Sequence, residues 1–217
     1  MDAALRNYLR AVGDDIPTLE HCALGTARAS VLRLHAACVA EFRATGDLSH
    51  IDRRILAAVR TDIGGYNGVS EDEREKFEEA LDASLFQNQA DTDAFIIGYV
   101  EAQLASGSET ADVSWLERKA AFCFLLPTRP LEWLRKFPVN AQHPLNQLFD
   151  MAVRHGDRAD LLALIRDRCS DLDSGMLPHR LEAQRRFWFL RHFWFLDDDQ
   201  SAVWSVLDRD PDFIFEL

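Results

Sequence analysis

The seven histidines are the side chains of this chain that are best suited to proton transfer or metal binding near neutral pH. They are His21, His35, His50, His143, His155, His179 and His192. Two metal ligands on one helical face need a spacing such as HExxH or ExxH, and neither motif occurs. His21 and Cys22 are neighbours, so on a helix they point roughly 100° apart, which does not suit a base and its nucleophile. We therefore predict no catalytic residue and no metal ligand.

The run Asp197-Asp198-Asp199 has the oxygen ligands that a divalent cation prefers. Such a site needs ligands that converge from several elements, whereas this run lies between two predicted helices, where aspartate is favoured as a cap and turn residue. Gly64-Gly65 belongs to no phosphate-binding motif, and no predicted strand precedes it. We interpret the first stretch as a helix cap and the second as a loop, and we predict no cofactor.

Residues 69–93 form the most acidic part of the chain, with nine acidic side chains against two basic ones. Their first residues, Ser70 to Glu73, read SEDE, a capping box that predicts a helix start. An acidic helix face can attract and orient a basic partner, and a solvated face is the alternative interpretation. The candidate partner-binding residues of this helix are Glu71, Glu75, Glu78 and Glu79.

The most apolar stretch is RRFWFLRHFWFL, from Arg185 to Leu196. Placed on a helix at roughly 100° per residue, its aromatic and aliphatic side chains occupy nearly every side. A helix of this kind is normally buried, so a core helix is the favoured hypothesis, with an interface and a membrane contact as alternatives. The core hypothesis predicts that Trp194→Asp unfolds the C-terminal half. As an interface, the helix offers these candidate partner-binding residues: Trp188, Arg191, His192 and Trp194.

Helical periodicity dominates the chain, and strand alternation is nearly absent. Thr18 is expected to begin a helical stretch that Gly25 divides and Gly46 ends. The next helix is predicted to start at His50, with Ser49 as its cap, and to run to Ile63. Ser114 and Glu117 form a second capping box. Gly156 and Asp157 are expected to join two amphipathic helices as an antiparallel hairpin.

These elements predict three segments: an N-terminal helical part over 1–104, a linker or hinge over 105–114, and a helical-hairpin part over 115–217. Asp210-Pro211 is a helix start, although only seven residues follow Asp210 in this sequence. A helix this short is marginal alone. Two hypotheses remain open: the segment docks back onto the body, or the C-terminal part is truncated and the natural chain continues.

The predicted fold class is all-α, built from irregular helical hairpins. Over residues 114–217 the hairpin rhythm resembles an α-solenoid of the HEAT or TPR type, in which each helix pair buries its face on the next. The Trp-Leu-Gly-Tyr consensus of a TPR is missing, and no family is assigned.

Composition limits the partners and the compartment. The net charge of −12 argues against bulk binding to nucleic acid or to an anionic membrane. No apolar run approaches the roughly 20 residues that span a bilayer, and no signal peptide is recognised. The four cysteines form no CxxC pair, so we expect free thiols in the reducing cytoplasm.

The predicted function is a non-catalytic helical protein-interaction module that acts as a scaffold or sensor segment of a larger assembly. Its expected partner is another protein, basic if the acidic helix binds it; the oligomeric state stays open. One alternative is a small acidic inhibitor of a basic partner, such as an immunity protein or antitoxin. The other is an α-helical enzyme without a recognisable motif, which would need a deep pocket with converging carboxylates or histidines.

Overall fold

A computed structural model describes residues 2–62, 70–109, 111–118, 120–137, 141–173, 184–196 and 200–216. Within these ranges every regular element is helical and none is a strand, which confirms the all-α prediction. The chain divides into two compact units, residues 1–106 and 107–217. The predicted loop around Gly64-Gly65 and the Asp197–Asp199 cap lie outside the described residues.

Unit 1 contains α1 (Asp2–Ala11), α2 (Leu19–Ala23), α3 (Arg28–Thr45), α4 (Arg53–Arg60), α5 (Glu71–Leu85) and α6 (Gln89–Ile96). A π-helical turn, Ile97–Glu101, continues α6 into α7 (Ala102–Ser106). Helices α1 and α4 pack on α3, α5 packs on α4, and α2 packs on the π-helical turn and α7. Helix α3 therefore connects the packing of α1 with that of α4 and α5.

Local signals set most helix ends in unit 1. The Thr18 hydroxyl accepts a hydrogen bond from the backbone N–H of His21, which starts α2. Gly25 and Gly46 have φ angles of +70° and +71°, a left-handed backbone that glycine adopts without steric cost. They divide and end the helical stretch as predicted.

The predicted start of the next helix is wrong. Helix α4 begins at Arg53, and the Asp52 carboxylate caps it by accepting from the N–H of Arg54 at 2.8 Å. Ser49 does not cap this helix; its N–H and hydroxyl both donate to the Asp47 carboxylate, at 2.9 and 2.6 Å. The helix therefore starts three residues later than predicted, with Asp52 instead of Ser49 as its cap.

Unit 2 contains two 3₁₀ segments, Ser114–Arg118 and Ala120–Leu125, then α8 (Arg129–Lys136), α9 (Gln142–His155), α10 (Arg158–Asp173), α11 (Arg185–Phe195), α12 (Ser201–Arg209) and a 3₁₀ segment, Pro211–Glu216. Helix α8 packs along α9, α10 along α11, and α11 along α12. The first residues of the unit are anchored to α9, since the N–H of Val113 donates to the Gln147 side chain at 2.8 Å.

The predicted capping box at Ser114 is wrong. The N–H and hydroxyl of Ser114 both donate to the Asp112 carboxylate, at 2.9 and 2.8 Å. Glu117 does not reach back; it pairs with Arg154 at 2.9 Å and His155 at 2.8 Å on α9. Both partners of the expected box are thus engaged elsewhere, and the segment is a 3₁₀ turn instead of an α-helix.

Gly156 and Asp157 join α9 to α10 as predicted, and the Asp157 carboxylate accepts from the N–H of Asp160 at 3.0 Å. The two helices contact each other only over a short stretch, because α9 packs mainly on α8 and α10 mainly on α11. The Arg168 guanidinium on α10 also donates to the carbonyls of Leu134 and Arg135 at the end of α8. The packing is therefore more interlocked than a simple hairpin, and a solenoid arrangement stays a prediction.

The segment after Asp210 packs on the unit. Phe213 is completely buried and its N–H donates to the Asp210 carbonyl at 3.0 Å, although the element is a short 3₁₀ segment instead of an α-helix.

Gly156→Ala should destabilise unit 2 by about 1–3 kcal/mol, the usual cost of overpacking. A Cβ at this position would lie 2.7 Å from the Ala152 carbonyl oxygen and 3.1 Å from a Leu131 methyl group. Urea unfolding followed by tryptophan fluorescence measures the loss, since all five tryptophans lie in residues 107–217. Ser170→Ala on the exposed side of α10 is the control, and equal stabilities of the two variants would contradict the steric argument.

Candidate functional site

The acidic residues of α5 have two different roles. Glu73 pairs with Arg43 of α3 through contacts of 2.5 and 3.0 Å, and this hydrogen bonding lowers the pKa of Glu73. Asp82 accepts from Arg60 of α4 at 2.5 Å, and Arg60 is buried. These two acids attach α5 to its neighbours and cannot serve a partner at the same time.

The four candidate residues of α5 are placed differently from one another. Glu71, Glu75 and Glu79 are exposed, and the Glu71 side chain is 89% exposed. Glu78 is half-buried and lies 4.0 Å from Arg74, which also approaches Glu71 at 3.6 Å. Three outward carboxylates therefore remain available to a basic partner.

Helix α11 is covered on one side only. Phe187, Trp188, Phe189 and His192 are buried, with Trp188 at 1% exposure. Trp194 is 63% exposed, and Phe193, whose ring meets it edge to face at 5.7 Å, is 36% exposed. The expectation that this helix is covered on nearly every side is therefore wrong at these two positions.

Trp188 and Arg191 serve the interior of unit 2. The Trp188 indole donates to Gln184 at 3.3 Å and meets the Phe149 ring of α9 edge to face. The Arg191 guanidinium lies 3.7 Å from the centre of the Phe187 ring and donates to Asn146 of α9 at 3.3 Å. Of the four candidate residues on α11, Trp194 alone is exposed.

Trp204 on α12 is a surface tryptophan that the sequence did not single out. It is 62% exposed, while its neighbours Val203 and Val206 are buried. The signal was present in the helical spacing, since Val203 and Val206 are three residues apart and Trp204 lies off the face that they share.

Trp194→Asp should leave unit 2 folded, because the replaced side chain is mostly in water. Trp188→Ala is the matched comparison on the same helix and should cost about 3–5 kcal/mol through cavity formation. Urea unfolding followed by far-UV circular dichroism separates them. If Trp194→Asp lowers the free energy of unfolding as much as Trp188→Ala does, the core hypothesis is correct for position 194.

A polar cluster lies inside unit 1 between α2, α3 and the end of α4. His35 is 3% exposed, stacks on Phe77 at 5.4 Å and has its Nδ1 3.8 Å from the Asp62 carboxylate. Burial is the main cause that lowers the pKa of His35, against the opposing effect of Asp62. Cys22, Thr61 and Asp62 line a cavity of about 170 Å³ beside it.

The thiol and phenol groups of this region are poor nucleophiles at neutral pH. Burial raises the pKa of Cys22, and it raises the pKa of Tyr99, whose hydroxyl donates to the Thr61 carbonyl, to about 12. A nucleophilic cysteine needs a lowered pKa, so the cluster is better suited to holding α2, α3 and α4 together.

The stability of unit 1 should fall as the pH drops from about 7 towards 5. An unfolded histidine titrates at about 6.5, and the lower folded pKa of His35 means that the unfolded state binds more protons in this window. The contribution of His35 to the free energy of unfolding is complete above the pKa of histidine in the unfolded chain and is lost as the pH falls below that value. Circular dichroism in urea at several pH values measures the slope.

His35→Phe keeps a ring on Phe77 and removes the titrating group, so its slope between pH 7 and 5 should be shallower than that of the wild type. A proton NMR titration that gives His35 a pKa at or above 6.5 would contradict the prediction.

A second candidate site in unit 1 is a cleft of about 600 Å³. Its apolar walls come from the turn before α2 and from α2, α4, α5 and α6, and their main side chains are Ile16, Pro17, Leu19, Ala57, Leu85 and Phe95. Asp14, Arg53, Arg54 and Asp91 also line it. The cleft could not be recognised in the sequence, because five separate chain segments contribute to it.

The π-helical turn lies directly beside the cleft. Phe95 lines the cleft two residues before the turn, and Leu19 of α2 packs on Gly98 within it. A Cβ on Gly98 would lie 2.8 Å from Leu19 Cδ1, so glycine permits this close approach. Turns of this type inside α-helices are rare and are frequent at functional sites.

Among the described residues, no group of three or more His, Cys, Asp or Glu side chains is arranged to hold a metal ion. The helices of the described ranges also include none with the length and apolarity to cross a bilayer. No protein-family model, no curated protein and no solved structure matches the chain.

Proposed function

We propose that this protein is a non-catalytic interaction module that binds another protein through the aromatic surface formed by Phe193 and Trp194. The observation that carries the proposal is the exposure of Trp194, at 63%, on a helix whose opposite side is fully buried. Tryptophan is among the residues most enriched at the energetic centres of protein interfaces.

The aromatic surface is mounted rigidly, which supports a binding role. Helix α11 is fixed to α9 by the rings of Phe187 and Trp188 on Phe149 and by the Arg191–Asn146 hydrogen bond. A side chain presented from a fixed helix loses little conformational freedom on binding, so more of its contact energy appears as affinity.

The proposed partner is basic at its point of contact. The chain carries a net charge of −12, and a tryptophan face attracts lysine and arginine side chains through cation–π interaction. The scaffold or sensor role, the helical-repeat arrangement and the cytoplasmic location are parts of the same proposal. The four cysteines are thiols and not disulfides, and Cys38 and Cys169 are buried, which supports a reducing compartment.

A second candidate function is a small acidic inhibitor that covers a basic protein. The outward carboxylates of Glu71, Glu75 and Glu79 on α5 favour it. Such binding would be fast at low salt and would weaken steeply as salt rises, since exposed charges are screened. Binding through the aromatic surface depends less on salt.

Trp194→Ala should weaken binding to the true partner by about 30-fold or more, the size expected when an interface centre of about 2 kcal/mol is lost. Cross-linking in cells that express the chain identifies candidates, and titration calorimetry with the purified candidate gives the dissociation constant. Val153→Ala, an exposed apolar residue on α9, is the matched control and should change the constant less than about twofold.

Equal affinities of the wild type and Trp194→Ala for the purified partner would contradict the proposal. If affinity instead falls in Glu71→Gln/Glu75→Gln/Glu79→Gln and collapses with salt, the acidic-inhibitor function is correct.

A further inference from the structure

The cleft in unit 1 has the size and walls of a small-molecule site. Its volume of about 600 Å³ falls inside the range of roughly 300–1,000 Å³ that is usual for ligand pockets. Leucine, isoleucine and phenylalanine side chains from separate elements are among its lining residues. An apolar ligand body would be removed from water there, which is the main source of affinity in such sites.

The two arginines at the cleft are already engaged by the protein. Arg53 forms a close ion pair with Asp91 and donates to the Leu85 carbonyl at 2.7 Å. Arg54 makes a two-point contact with Asp52, with Nη2 donating at 2.8 Å and Nε at 3.2 Å. An anionic ligand would have to displace one of these carboxylates.

Asp14 differs from the other charged residues of the cleft. Within the described residues its carboxylate forms no hydrogen bond and no close ion pair, and its effect on Arg54 is a minor Coulombic one. Of the charged residues that line the cleft, Arg53 pairs with Asp91, and Arg54 pairs with Asp52, which is not a lining residue; Asp14 is therefore the lining carboxylate that neither arginine holds. A cation can pair with Asp14 and leave both internal ion pairs intact.

The net charge of unit 1 also favours a cationic ligand. Residues 1–106 contain 18 acidic and 10 basic side chains, against 18 and 14 in residues 107–217. The field of unit 1 therefore raises the local concentration of small cations.

We propose that this cleft binds a small organic cation, an apolar body carrying one ammonium group that pairs with Asp14. The apolar body occupies the space between Ile16, Leu19, Ala57 and Phe95. The adjacent π-helical turn, with Gly98 against Leu19, holds the α2 wall in position. This site is separate from the aromatic surface and does not depend on the proposed protein partner.

Three probes with the same apolar body test the ligand class: 4-phenylbutylammonium, the neutral alcohol 4-phenylbutanol and the anion 4-phenylbutyrate. By calorimetry at low salt, the ammonium probe should bind about two- to fivefold more tightly than the alcohol, the strength of an exposed ion pair. The anion should bind most weakly. Methyl NMR on the wild type should show shifts at Leu19, Ala57 and Leu85.

Asp14→Asn should remove the preference for the ammonium probe over the alcohol. Asp15→Asn is the matched control, because it makes the same charge change one residue away on an exposed side chain that does not line the cleft. Ala57→Trp fills the cleft and should abolish binding of all three probes. Trp194→Ala should leave the three affinities unchanged, which keeps this test independent of the protein-binding proposal.

Tighter binding of the anion than of the ammonium probe would overturn the proposal. So would an ammonium preference that survives Asp14→Asn, or shifts in the wild type confined to residues outside the cleft. If Ala57→Trp does not fold, two other results still test the proposal. They are the difference between Asp14→Asn and Asp15→Asn and the position of the NMR shifts in the wild type. Absence of binding by every probe at millimolar concentration also overturns it.

Discussion

Complete burial of the middle of α3 is the constraint on which unit 1 depends. Every side chain from Ala37 to Glu41 is buried, so that helix needs neighbours on all sides. Glu41 adds a charge to this interior, and the charge is tolerated because Arg6 of α1 pairs with it at 2.6 Å and His50 at 3.2 Å. The Arg6 hydrogen bond lowers the pKa of Glu41 and keeps it ionised. Helix α1, which has no buried residue of its own, is thereby held on the core by an ion pair and by half-buried side chains.

In unit 2 the most apolar helix is covered by neighbouring helices only in part. Helix α11 is as apolar as a central helix, yet its neighbours α9, α10 and α12 leave Phe193 and Trp194 in water. The difference between the two units is informative, because an apolar helix that is incompletely covered retains free energy that a partner can recover by covering it. The buried side of the same helix supplies the rigidity. Under the proposed function, structural and binding roles are divided between opposite faces of one helix.

Sequence reasoning succeeded where a single local interaction decides the outcome. Thr18, Gly46, Ser70 and Asp157 mark helix ends correctly, because each cap or turn is formed within a few residues. It failed at Ser49 and Ser114, where the serine hydroxyl donates to an aspartate two residues upstream. The all-α class followed from periodicity, but the exposure of Trp194 depends on which helices pack on α11. The cleft depends on tertiary packing even more strongly, since five segments build it.

The π-helical turn at Ile97–Glu101 also sets the helical phase of the end of unit 1. A π turn accommodates one more residue than an α turn, so if the same residues closed into regular α turns, the later part of the helix would be rotated by roughly 100°. Leu104, now buried, would turn away from the core, and Tyr99 would lose its alignment with the Thr61 carbonyl. The wider turn therefore determines which face α7 presents to α2.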